Sequence, residues 1–131
     1  MSLTTSVGSV PYIVLDRAAV ASSVGELRRA VAAFAAEHGA DGEILERVRL
    51  AVSEAVNNTV VHAGGIVRVA ADVEDDELEI VVSDEGLGFR PGPSPGAGLG
   101  LLVIERCCDA FLVRDQIPHG VEVWMRFDLI G

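Results

Sequence analysis

At Ala63-Gly64-Gly65-Ile66-Val67-Arg68-Val69-Ala70 the spacing of apolar residues changes from helical to alternating. Upstream, Ile44, Val48, Ala51 and Ala55 recur three or four apart. That is the buried stripe of a helix over about Asp41 to Val61, which the Ala63-Gly64-Gly65 run ends. Downstream, Ile66 to Ala70 alternates, Asp72 to Asp76 makes an acidic turn, and Leu78-Glu79-Ile80-Val81-Val82 resumes as a strand. A helix leading directly into paired strands calls for helices laid on one face of a sheet.

The flanks extend this pattern. Ser23-Val24-Gly25-Glu26 has the spacing of a capping box. Behind it Leu27, Val31, Phe34 and Ala35 give an amphipathic helix that stops near Gly39. Tyr12-Ile13-Val14-Leu15, after Pro11, reads as an edge strand. Ser83 to Gly100 holds Pro91, Pro93 and Pro95 among many glycines, too many for a helix or a central strand. Leu101 to Cys108 fits a short helix. Phe111-Leu112-Val113-Arg114 and Val121 to Phe127 fit two strands joined through Pro118-His119-Gly120. The expected fold is an α/β two-layer sandwich whose mixed, mainly antiparallel sheet is covered on one face by helices. Residues 1–10 are expected to form a flexible tail, and residues 11–131 a single domain.

Composition narrows the function. The 131 residues carry 10 Lys+Arg against 20 Asp+Glu, a formal net charge of −10. Such a surface disfavours nucleic acid and anionic membrane as direct partners, because phosphate binding needs clustered cations. It is compatible with a basic protein, or with a nucleotide whose phosphates meet Mg²⁺ and backbone N–H groups. Adjacent Cys107 and Cys108 imply no disulfide framework, so a reducing cytoplasm is expected. No apolar run is long enough to span a membrane, and Met1 to Val10 lacks the pattern of a signal peptide.

Three segments carry chemistry. Glu54 and Asn58 lie four apart on the helix before the period change, so both project from one face, and His62 continues the row. A carboxylate beside an amide oxygen can place a proton acceptor next to a divalent cation. A plain solvated face is the competing reading. Asp84-Glu85-Gly86-Leu87-Gly88 follows a strand. It offers a fixed acceptor and a backbone that a flat ligand can approach, although an ordinary turn uses the same residues. Gly96-Ala97-Gly98-Leu99-Gly100-Leu101 is a glycine-rich loop running into a helix, where free N–H groups can meet phosphates. It has no Gly-Lys-Ser/Thr, so it is no P-loop. The adjacent cysteines with His62 and His119 lack the spacing of a zinc site.

Taken in this order, the segments resemble the N-box and glycine boxes of the GHKL (histidine-kinase-like) ATPase superfamily. More narrowly, Leu50 to Leu129 is similar to the anti-sigma-factor serine/threonine kinases of bacterial stress and sporulation switches. Glu54 stands where histidine kinases usually carry Asn. The resemblance implies a Bergerat-type ATP-binding fold with ATP/ADP and Mg²⁺ as cofactors. It implies Glu54 as the base that activates a partner's serine, Asn58 as the Mg²⁺ ligand, and Asp84 as the adenine reader. Gly86 and Gly88 would form the adenine-site backbone, Gly98, Leu99 and Gly100 the phosphate site, and Arg90 to Ala97 a lid. A sigma factor and a serine-bearing anti-sigma-factor antagonist are the implied partners, and a homodimer the implied assembly.

Val121 stands where family members often carry Thr, and Arg90 is the lid's only cation. These departures keep open a nucleotide-binding regulatory module with little or no kinase activity. A detached histidine-kinase ATP-binding domain is the third alternative.

Overall fold

The computed structural model describes residues 5–7, 10–62, 64–84, 97–115 and 120–130. The elements run β1 (Thr5–Val7), β2 (Val10–Ala18), α1 (Ala21–Glu37), α2 (Gly42–His62), β3 (Ile66–Glu74), β4 (Glu77–Asp84), α3 (Ala97–Cys107), β5 (Ala110–Asp115) and β6 (Val121–Asp128). The strands form a 6-stranded sheet in the order β1-β2-β3-β4-β6-β5, and the helices pack on one of its faces. This is the α/β two-layer sandwich expected from the period change.

Every neighbouring pair in the sheet is antiparallel. The parallel component of the expected mixed sheet is therefore missing among the described strands. The cause is topological: β4 and β5 run in the same direction, but β6 lies between them and pairs with both. The edge-strand reading of Tyr12 to Leu15 is also corrected. Thr5–Val7, inside the stretch expected to be a tail, pairs with Val10–Tyr12 and covers that edge.

Alternation along the strands sorts the layers. Ile13 and Leu15, Val67 and Val69, Leu78 and Ile80, and Met125 and Phe127 point to the helical side and are buried. They meet Leu27, Val31 and Phe34 of α1 and Val48, Val52 and Val56 of α2 in one core. Each such side chain contributes about 1.5–3 kcal/mol by leaving water.

Helix α1 begins before the expected capping box. Val20 is its N-cap residue, with an extended backbone and no side-chain cap. The Ser23 hydroxyl instead donates to the Ala18 carbonyl at 2.6 Å, while Glu26 pairs with Arg17 at 3.0 Å. Asp41 caps α2, its carboxylate accepting from the Ile44 N–H at 3.1 Å. Gly39, Gly64 and Gly65 have positive φ at the helix exits, where a side chain would be strained.

Candidate functional site

The buried stripe of α2 fixes where its polar residues go. Ala51, Val52, Ala55 and Val56 are all but inaccessible against the sheet. Glu54 and Asn58 flank this stripe, half-buried, on the side that meets α3. Thr59 is buried beside them, its hydroxyl donating to the Ala55 carbonyl at 3.4 Å.

Gly100 brings α3 onto that pair. A Cβ added there would lie 3.2 Å from the Asn58 amide oxygen, 3.3 Å from its nitrogen and 3.4 Å from a Glu54 carboxylate oxygen. Only a residue without a side chain lets the two helices approach this closely with both polar groups left in place. At its other end α3 is tied by Arg47, whose Nη1 donates to the Cys107 carbonyl at 3.1 Å and lies 3.9 Å from the Asp109 carboxylate. With Asn58 against Gly100 and Arg47 against Cys107, α2 and α3 run antiparallel.

The expected glycine loop is partly helix. Gly98, Leu99 and Gly100 fall in the first turn of α3, which starts at Ala97 rather than near Leu101. The first N–H groups of a helix have no partner inside it. These therefore emerge at the helix end next to Glu54 and Asn58, where the dipole also favours an anion.

Asp84 ends β4 on its core-facing side and is buried. Its register partners are Val67 and Val121. The position at which the resemblance leads one to expect Thr is thus directly opposite Asp84, and it carries two methyl groups instead of a hydroxyl. Gly86, Gly88 and residues 90–96 of the expected lid lie outside the described residues, as do the His62 side chain and His119, while Ala97, its last residue, opens α3.

Burial pushes the Cys107 thiol up, partly offset by Arg47, with Glu54 adding to the rise. Burial, with Cys107 and Asp109, pushes the Cys108 thiol up to about 12. Neither is a ready nucleophile at neutral pH, since the thiolate is the reactive form. Among the described residues there is no group of three or more His, Cys, Asp and Glu able to hold a metal ion.

One feature was not singled out from the sequence. An open depression of about 700 Å³ between α1 and α2 is lined by Arg28, Arg29, Arg47 and Arg49, with Glu46, Leu50, Ser53 and Cys107. Arg28 Nη1 donates to the Ser53 hydroxyl at 3.4 Å, so the depression borders the residue preceding Glu54. The adjacent pair Arg28-Arg29 and the near-neighbours Arg47 and Arg49 were the available signal. Their convergence depends on how the two helices cross.

Comparison with known proteins agrees with this arrangement. Residues 17–127 match the family described as histidine kinase-like ATPase domain. An anti-sigma F factor of Clostridium acetobutylicum is 34% identical over 116 residues, covering 76% of this chain and 80% of the relative. One from Pasteuria penetrans is 34% identical, covering 75% and 77%. One from Geobacillus stearothermophilus is 28% identical, covering 76% and 80%. With that match spanning most of its length, and with an N-box helix whose polar pair sits against the glycine turn of α3, the chain belongs to the histidine kinase-like ATPase domain family, alongside relatives named anti-sigma F factor.

Proposed function

We propose that this protein is a Mg·ATP-dependent anti-sigma factor and protein serine kinase, which binds a sigma factor and phosphorylates a serine on an anti-sigma-factor antagonist. The observation that carries the reading is the approach of Gly100 to Asn58 and Glu54. It brings an amide, a carboxylate and the first turn of a helix together, which supports roles for them in holding a metal ion, accepting a proton and binding phosphate.

The residues present fit the cofactor. Mg²⁺ is commonly held by one or two protein oxygens, with water and phosphates completing its shell. Asn58 supplies such an oxygen. The bound ion would neutralise phosphate charge. The N–H groups of Gly98, Leu99 and Gly100 would hold the phosphates, and Asp84 would accept from the exocyclic amine of adenine, with Gly86 and Gly88 beside the ring. Glu54 then takes the proton of the partner's serine as its oxygen bonds to the terminal phosphorus and the bond to the ADP oxygen breaks. The products are phosphoserine and ADP, with the proton left on Glu54.

The arginine-lined depression supports docking of an acidic partner segment, since guanidinium groups bind carboxylates through paired hydrogen bonds. On this reading the protein works as a homodimer in the bacterial cytoplasm. A second reading, a nucleotide-binding regulator that transfers no phosphate, is favoured by Val121 opposite Asp84.

Two variants separate the roles. Asn58→Ala should weaken Mg·ATP binding by at least about tenfold and lower all that depends on it. Glu54→Gln should keep ATP binding and lose serine phosphorylation by roughly 10²–10⁴-fold, the contribution of a positioned base. Nucleotide titration and phosphotransfer to a purified antagonist measure both. Wild-type transfer by Glu54→Gln would remove Glu54 as base. Nucleotide binding without transfer by the unaltered protein would leave the regulatory module.

A further inference from the structure

The sheet has a second face, opposite the helices, and the strand register arranges its side chains in rows. Val14 pairs with Ala70, Ala70 with Val81, Val81 with Trp124, and Trp124 with Leu112. One apolar row therefore crosses β2, β3, β4, β6 and β5. Its ends are open, Val14 being 50% and Leu112 51% exposed. Ala70, Val81 and Trp124 between them are partly exposed. A continuous apolar stripe on a face turned to solvent marks an interaction surface better than scattered single residues do.

The rows on either side differ in charge. Toward one end, Asp16 pairs with Arg68 at 2.7 Å and Arg114 with Glu122 at 2.7 Å, so charges there are matched. Toward the other end stand Asp72, Glu74, Glu77, Glu79 and Asp128, with Arg126 at 3.2 Å from Asp128. Asp72, Glu74, Asp75, Glu77 and Glu79 enclose a small hollow of about 80 Å³. Burial, together with Glu79 and Glu74, raises the Asp72 carboxyl above its ordinary value, so this end is crowded with like charge.

We infer that this open face is a docking surface for a basic amphipathic helix of a partner protein, its apolar side along the row and its Lys/Arg residues over the acidic end. The dimensions agree: four strand spacings of about 4.8 Å make about 19 Å, the length of a helix of about 13 residues. Charge decides among occupants. A membrane of anionic lipid or a nucleic acid would meet the acidic end with like charge. A second copy related by a two-fold axis would lay the acidic end either over the matched end or over the other copy's acidic end, and neither compensates it. A cationic helix relieves the crowding and covers the stripe together. This face lies across the sheet from Glu54 and Asn58, so the inference does not rest on phosphotransfer.

Trp124 is the protein's single tryptophan and lies within the row, so its emission reports occupancy. The probe is a synthetic helical peptide of about 14 residues, with Leu along one side and Lys at one end. A control peptide carries Glu in place of Lys. The Lys peptide should shift Trp124 emission to the blue in a saturable way that weakens as salt rises, and the Glu peptide should not. Val14→Asp should abolish the shift. Glu74→Lys with Glu77→Lys should weaken binding at least about tenfold while ATP titration stays at the unaltered value. The charge variant keeps the test decisive if Val14→Asp fails to fold. The inference is overturned if the Lys peptide causes no shift, if both peptides bind alike, or if the charge variant binds equally well. It is also overturned if the free protein forms a dimer that Val14→Asp dissociates, because the face then belongs to a second copy.

Discussion

Gly100 has no room for a side chain unless the groups it faces give way. A methyl group 3.2 Å from the Asn58 oxygen is closer than carbon normally sits, and 3.4 Å from that of Glu54 is at the limit of ordinary contact, yet both neighbours are half-buried and can rotate outward. Alanine also favours a helix over glycine by up to about 1 kcal/mol. Gly100→Ala should therefore melt no lower than the unaltered protein while binding ATP at least about tenfold more weakly, as displaced Asn58 and Glu54 lose their placement. Parallel thermal melts and nucleotide titrations check this. A fall in melting temperature with normal binding would mean that Gly100 serves packing alone. The polar pair itself was legible, because residues four apart on a helix must share a face. The contact with Gly100 was not, because it joins residues far apart in sequence.

Helix α1 illustrates how an element can be found while its start is missed. The stripe Leu27, Val31, Phe34 gave its body, but Ser23 and Glu26 have other partners than the backbone N–H groups of a capping box. Val20, extended and uncapped at φ −129° and 49% exposed, holds the N-cap position. Replacing it with Ser or Asp should add about 0.5–2 kcal/mol, the usual value of a side-chain cap. Urea unfolding of Val20→Asp measures the gain, and an unchanged midpoint would show that the free N–H groups are satisfied by water at no cost. Strand β2 was legible as a strand and misread as an edge, since Thr5–Val7 is too short to announce itself. The place of β6 between β4 and β5 was likewise invisible, because local alternation specifies a strand's faces and not its neighbours.

Across the whole molecule the charges are sorted by side. Arginines gather between α1 and α2, and carboxylates gather at one end of the open face. The second group has a consequence for pH. Asp72 is raised above its ordinary value of 3.8, first by burial and then by Glu79 and Glu74. A carboxyl raised in the folded state favours folding while protonated, and that advantage is lost as pH rises through its folded value. Asp72→Asn should thus raise the melting temperature at pH 7, and the difference should vanish as pH falls below 3.8. Asp16 works in the opposite sense: the hydrogen bond and charge of Arg68 hold its carboxyl down. Its stabilisation is present above the ordinary carboxylate value and lost as acid protonates it. Melts of both single variants, Asp72→Asn and Asp16→Asn, over a pH series separate the two. Equal midpoints for Asp72→Asn and the unaltered protein at neutral pH would contradict the crowding at that end.

The position of β6 also governs how the chain is made. β4 pairs along its whole length with β6, whose Met125 and Phe127 complete the core. On the ribosome, β4 emerges while that partner is still unsynthesised, and elongation takes on the order of seconds to supply it. During that interval one side of β4 is an open template whose core face carries Leu78, Ile80 and Val82, the kind of edge to which another nascent chain can add. Ribosome pausing between the codons of Asp84 and Val121 would lengthen the exposure, making translation speed over that stretch a determinant of yield.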